Sequence, residues 1–234
     1  MRRKILLSSA VLVVLLSFLS FFSGGLLLAR DGGTVYLPVV ERFLSTDDSS
    51  PIRFRAHQHL EARTAHLGMA AWMDIDTEGT PDGFRYTIAG EGGSDYIRSH
   101  VFKPALETES HLWASDTSNR AVTPENYMFD DRGLASGLAE VGVKPRRKDV
   151  FLLDGSIFLR PEDGDLVRVE GKLTKNPSFW TRHVQVVGHY ERIAGVRLPV
   201  AFESTASIVI AGTCSFTMTY DYETVNGQDV SRIN

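Results

Sequence analysis

A single cysteine, Cys214, stands in 234 residues, so no internal disulfide can staple the chain and its sheet and core must hold the fold unaided. Basic residues do not dominate. Lys and Arg number 25 against 29 Asp and Glu, a formal net charge of −4, which argues against nucleic acid as a partner. There is no G-x-S-x-G, no P-loop, no zincin helix and no EF-hand loop, so the common hydrolytic, phosphate-cradling and calcium-binding patterns are absent. Internal repeats and low-complexity linkers are lacking too, which leaves one globular domain behind the N-terminal segment. Charged residues at 23% and hydrophobic residues at 43% fit a folded chain.

That segment is the one long hydrophobic run. Arg2-Arg3-Lys4 precedes Ile5–Phe22, Gly24-Gly25 breaks the run, and Leu27-Leu28-Ala29 ends it before Arg30. Residues 1–29 read as a secretory signal. The alternative is an uncleaved anchor, since Ile5–Leu28 is long enough to span a bilayer. No cysteine follows, so lipoprotein acylation is not expected. Both readings place residues 30–234 outside the cytoplasm.

Alternation dominates the rest. In Ile52–Ala62 the even positions Ile52, Phe54, Ala56, Gln58, Leu60 and Ala62 oppose Arg53, Arg55, His57, His59 and Glu61, the pattern of a strand with one solvated face. The same period runs through Leu67–Ile75, Phe84–Ile88, Val184–Tyr190, Leu198–Ile210 and Cys214–Tyr222. Turns are expected at Thr80-Pro81-Asp82-Gly83, Glu162–Asp165, Ala194-Gly195 and Ala211-Gly212. Asp154-Gly155, between Val150–Leu153 and Ser156–Leu159, has the composition of a hairpin turn. Asn126–Phe129 and Leu138–Val143 are weaker strand candidates. Val39, Val40, Phe43 and Leu44 form one face of a short helix. Ser94 caps a second, with Tyr96, Ile97, Val101 and Phe102 on its apolar face; Pro104 is expected to stop or kink it, with a restart through Leu112-Trp113. The expectation is an α+β fold: one curved antiparallel sheet of nine to eleven strands with two or three helices.

In order and spacing, Thr123-Pro124-Glu125-Asn126-Tyr127-x-Phe129, Lys144–Asp149, Asp154-Gly155, Asp163 to Val169-Glu170-Gly171, Lys175–Trp180 and Tyr220-x-Tyr222 before Asn226-Gly227 resemble bacterial outer-membrane lipoprotein-sorting proteins of the LolA/LolB type. The match is best over residues 120–227 and departs from the pattern at Gly133–Gly142, which is rich in Gly and Ala. The resemblance implies an open half-barrel lidded by helices, whose concave face holds a lipid or lipoprotein acyl chain. Phe54, Met69, Met73, Phe84, Tyr86, Val101, Phe202, Phe216 and Met218 are the expected lining. Arg146, Arg147 and Lys148 are candidates for contact with lipid headgroups or a partner, or else the charged edge of a strand. An inner-membrane transporter and an outer-membrane acceptor are the partners such a carrier implies, and it is expected to be a monomer with no cofactor.

Two rival readings stand beside the carrier. If the apolar face is fully packed, the chain is an envelope protein–protein interaction module. If His57 and His59 share a metal, it is a metal-dependent enzyme. No carboxylate is spaced with that pair along the chain, so no metal site and no catalytic residue are assigned. Asp74-x-Asp76-x-Glu78 and Glu162–Asp165 read as turn and surface charge. Cys214 lies on the apolar face, the place of an inert thiol.

Overall fold

The computed structural model describes residues 37–46, 52–113, 121–175, 181–209 and 211–231. The signal segment and the Asn176–Trp180 corner lie outside them. Helix α1 (Pro38–Ser45) is followed by β1 (Phe54–Thr64), β2 (Ala70–Thr80) and β3 (Gly83–Gly93). A helical stretch comes next: α2 (Asp95–Ile97), a π-turn (Arg98–Phe102) and α3 (Lys103–Trp113). Eight strands complete the described chain: β4 (Tyr127–Ala135), β5 (Leu138–Pro145), β6 (Leu153–Leu159), β7 (Leu166–Leu173), β8 (Thr181–Ile193), β9 (Val196–Ile208), β10 (Gly212–Val225) and β11 (Gln228–Asp229).

These strands join one open antiparallel sheet in the order β3-β2-β1-β10-β9-β8-β7-β6-β5-β4, with β11 beside β10. Thus β3 and β4, consecutive in the chain, are the two opposite edges. The chain must travel from one edge to the other, and the helical stretch begins that passage. One face of this open, curved sheet carries a buried cluster that extends from Leu60 and Met73 of β1 and β2 to Val141 and Leu159 of β5 and β6. Bulges, among them Arg55/Ala56 and Arg182/Gln185, supply local bends.

The alternation is borne out. In β1 and β10 the residues of one face are mostly buried and those of the other are exposed or half-exposed. The Gly- and Ala-rich stretch does pair, with a bulge between Asp131 and Leu134 where Gly133 has φ 85°, and through a two-residue turn in which Ser136 and Gly137 both have positive φ (53° and 83°). Asn226-Gly227 is built likewise.

One expectation is corrected. Asp154-Gly155 is no turn: both residues lie within β6, where Gly155 pairs with Val143 of β5 on one side and with Gly171 of β7 on the other. The small residue serves close strand approach there, not reversal. At Pro104 the helix is interrupted and restarts, as expected. The turn before it widens to i→i+5, with the Lys103 N–H donating to the Arg98 carbonyl, and the chain continues helical to Trp113. Relaxing the turn before a proline keeps the helix running past a residue that has no N–H.

Helix α1 begins at Pro38, a residue preset for the first turn, and buries Val40 and Phe43. It docks on the β6–β7 turn, where Gly164 combines φ +75° with backbone so close that a Cβ would lie 2.7 Å from the Phe43 nitrogen. Beside it Asp165 accepts two bonds from Arg192 (2.7 and 2.9 Å) and one from Arg197 (3.2 Å). Burial acts to raise the Asp165 carboxyl, but these guanidinium groups together outweigh it and hold the group below the usual range.

Candidate functional site

The concave face and the helices over it form the candidate site. Ser94 caps α2 by accepting from the Ile97 N–H (3.4 Å). From there Ile97, Val101, Phe102, Ala105 and Leu106 are buried at helical spacing against the sheet. Met73, Val101, Phe202, Phe216 and Met218 of the expected lining meet in this main cluster, with Phe216 at 6.1 Å from both Phe102 and Phe202. Phe54 and Phe84 belong to a second cluster with Tyr222, where Trp113 packs edge-on to Phe54 at 5.4 Å. Met69 and Tyr86 are only half-buried. The end of α3 is latched to the sheet: Trp113 Nε1 donates to the Thr80 carbonyl (2.6 Å) and Ser110 Oγ to the Phe84 carbonyl (3.3 Å).

The helices fill the space they cover. Met73, Ile75, Ile97, Phe102, Ala105 and Leu106 each have 0% exposure, so no water-sized space touches them.

Within this apolar volume lies a polar island that the alternation rule passes over. Gln58, 0% exposed, sits on the buried face of β1 between Ile75 and Tyr220. Its Nε2 donates to Thr77 Oγ1 (3.2 Å), which donates on to the Ala56 carbonyl (2.9 Å), while Gln58 Oε1 has no partner. From α3, Glu109 is 4% exposed and its Oε2 has no partner either. Burial pushes the Glu109 carboxyl up to about 8, so it is neutral at pH 7. The Tyr220 and Tyr222 hydroxyls are pushed well above their ordinary value, first by burial and then by the charge of Glu109. Glu109 stands one turn before Trp113, whose ring packs on Phe54, which packs on Tyr222, the stacked neighbour of Tyr220. Tyr222 donates to the Pro199 carbonyl (2.9 Å). A sequence signal existed for both residues: Gln58 in an otherwise apolar alternation, and Glu109 four residues after Ala105 and four before Trp113.

On the convex face, His57 and His59 do have carboxylates, delivered by strand pairing and not by spacing along the chain. His57 lies opposite Asp76 and His59 opposite Asp74, with ring Nδ1 to Oδ1 distances of 3.0 and 2.5 Å. All four side chains reach solvent, and no group of three or more metal-ligating side chains converges among the described residues. A shallow groove of about 420 Å³ nearby is lined by Arg55, Asp76, Glu78, Arg85 and Glu223 together with Ala56, Thr77, Tyr86 and Thr87, so Tyr86 of the expected lining faces a largely polar groove.

Arg146, Arg147 and Lys148 follow β5 and are exposed. Arg146 Nε donates to the Pro124 carbonyl (2.7 Å) and Arg147 Nη1 to Asn126 Oδ1 (2.6 Å), tying down the loop that leads into β4. Cys214 is buried, which pushes its thiol up to about 11 and leaves it protonated and inert. No helix among the described residues is long and apolar enough to cross a membrane.

Neither a protein-family model nor a curated protein matches the chain. Among solved structures it is similar to a LolA superfamily protein from Nitrosomonas europaea, at 6% identity over 85% of this chain and 96% of the other, with a TM-score of 0.39. A putative outer membrane lipoprotein-sorting protein domain from Vibrio parahaemolyticus gives 12% identity, 84% and 93% coverage and a TM-score of 0.41. A DUF1329 family protein from Desulfovibrio piger gives 8%, 84% and 92%, and 0.38. All three TM-scores lie below 0.5 and all three identities at 12% or less.

Proposed function

We propose that the chain is a non-enzymatic carrier or sensor of the periplasm that holds a lipid or lipoprotein acyl chain against the concave face, with residues 95–113 as the lid. One observation carries this reading: a continuous apolar face of a curled sheet is covered by a helical stretch that is interrupted at its middle. The π-turn at Arg98–Phe102 and Pro104 divide the stretch into a part anchored on β2 and a part latched by Trp113. An acyl chain replaces the apolar contacts that the lid makes when closed, so opening and loading exchange one buried surface for another. Arg146 and Lys148, on the surface at the end of β5, suit contact with headgroups or with an envelope partner that loads or unloads the guest.

Native mass spectrometry of residues 30–234, purified without detergent from a bacterial periplasm, tests the reading. A lipid-sized adduct, or saturable binding of a fluorescent fatty acid that unlabelled lipid displaces, is the expected result. An apo protein that takes up no amphiphile overturns it.

The complete burial of the residues beneath the lid favours a second reading, an envelope protein–protein interaction module with a packed core. The apo outcome of the same experiment selects it.

A further inference from the structure

The carrier reading leaves open what kind of amphiphile enters, and the polar island bears on that choice. Gln58 and Glu109 reach it from different elements, β1 and α3: Gln58 pairs across the sheet with Tyr220, which stacks with Tyr222, and Glu109 stands one helical turn before Trp113, whose ring packs on Phe54 against Tyr222. Each leaves an oxygen unpartnered while more than nine-tenths buried. An unsatisfied buried polar atom costs stability, and an apolar residue at either position would remove that cost. Two such atoms around one aromatic cluster, one on the sheet and one on the helix that must move for loading, are the arrangement of a site waiting for a partner group.

We propose that Gln58 Oε1 and the Glu109 carboxyl anchor the polar end of the guest, and that the guest is an amphiphile with an uncharged, hydrogen-bond-donating head, a hydroxyl or an amide. This rests on the carrier reading. Gln58 Oε1 can only accept, so the head must donate. Glu109 is neutral at pH 7, since burial pushes its carboxyl up to about 8, and so it offers an O–H and an acceptor together. A hydroxyl or amide head satisfies both residues without bringing charge into the apolar volume. A fatty-acid anion would bring a second negative charge into a volume whose burial already keeps Glu109 neutral. The apolar tail then runs into the main cluster around Met73, Phe202 and Phe216.

The test compares three probes of equal chain length at pH 7, monomyristoylglycerol, myristate and myristylamine, by calorimetry below their aggregation limits. The wild type should bind monomyristoylglycerol about tenfold or more tightly than either ionised probe, the worth of one to two good hydrogen bonds. In Gln58→Leu/Glu109→Leu, whose folding is verified by circular dichroism, the preference should fall to within about threefold while chain binding persists. Glu109→Gln, which keeps a neutral donor and acceptor, should retain it, and serves alone if the double variant does not fold. Equal binding of the three probes, tightest binding of myristylamine, loss of the preference in Glu109→Gln, or its survival in the double variant overturns the proposal and leaves the carrier standing. Binding of none of them by the wild type removes the carrier reading, and this inference with it.

Discussion

Gly155 of β6 and Gly171 of β7 lie directly opposite each other in the sheet, each with the partner's backbone where a side chain would begin. A Cβ on Gly171 would come within 2.8 Å of the Gly155 Cα, and one on Gly155 would run into the Glu170 carbonyl oxygen. The two strands approach so closely because neither residue carries a side chain. Gly155→Ala and Gly171→Ala should therefore each destabilise by about 2–4 kcal/mol, by forcing the strands apart. Urea unfolding midpoints measure this. A loss under about 1 kcal/mol in both would show that the strands can separate freely.

Stability should fall as pH rises from about 4.5 to about 8. The Glu109 carboxyl has an ordinary value of 4.5 and is raised to about 8 by burial. Between those values the folded protein keeps a proton that the unfolded chain has lost, so the stabilisation present below pH 4.5 disappears as pH rises through the folded value. The drop should be on the order of 5 kcal/mol at most, at about 1.4 kcal/mol per pH unit across that interval. Glu109→Gln should flatten that part of the profile, measured by denaturant midpoints across pH.

The latch at the end of α3 predicts a graded pair of variants. Trp113→Phe keeps the packing on Phe54 and Phe84 but loses the bond to the Thr80 carbonyl, for about 1 kcal/mol. Trp113→Ala loses both, for about 3–5 kcal/mol. Hydrogen exchange should quicken mainly in residues 103–113 and much less in β8–β10. Uniform acceleration would mean that the helix and the sheet open as one unit.

Gly164→Ala should cost about 1–3 kcal/mol and loosen α1, because it combines a left-handed backbone with contact on Phe43. Exchange of the Val40–Phe43 amides reports it directly. Unchanged protection there would place the contact outside what holds α1.

The His57–Asp76 and His59–Asp74 pairs are solvent-accessible and should contribute little. Double-mutant cycles are expected to give about 1 kcal/mol or less for each, diminishing further in high salt. A coupling above about 2 kcal/mol would show that this face is organised around those pairs.

Period-2 alternation determined most of this fold from sequence. Phe54, Leu60, Phe202, Phe216 and Met218 go to one side because successive strand residues must, and that local rule needs no partner strand. The cap at Ser94 and the turn at Ala194-Gly195 were legible for the same reason, each being decided by a few neighbouring residues. Asp154-Gly155 shows the limit. The same dipeptide suits a reversal or a close strand contact, and only the arrival of Gly171 across the sheet selects the second. Tertiary structure alone decided the rest. The pairing of β1 with β10 joins the two halves of the sheet, and its curl brings β2 and β5 to one core. Register placed Asp74 and Asp76 against the two histidines, and docking of α3 turned Glu109 into a buried, neutral acid. Long-range pairing sets those distances, and no spacing along the chain encodes them.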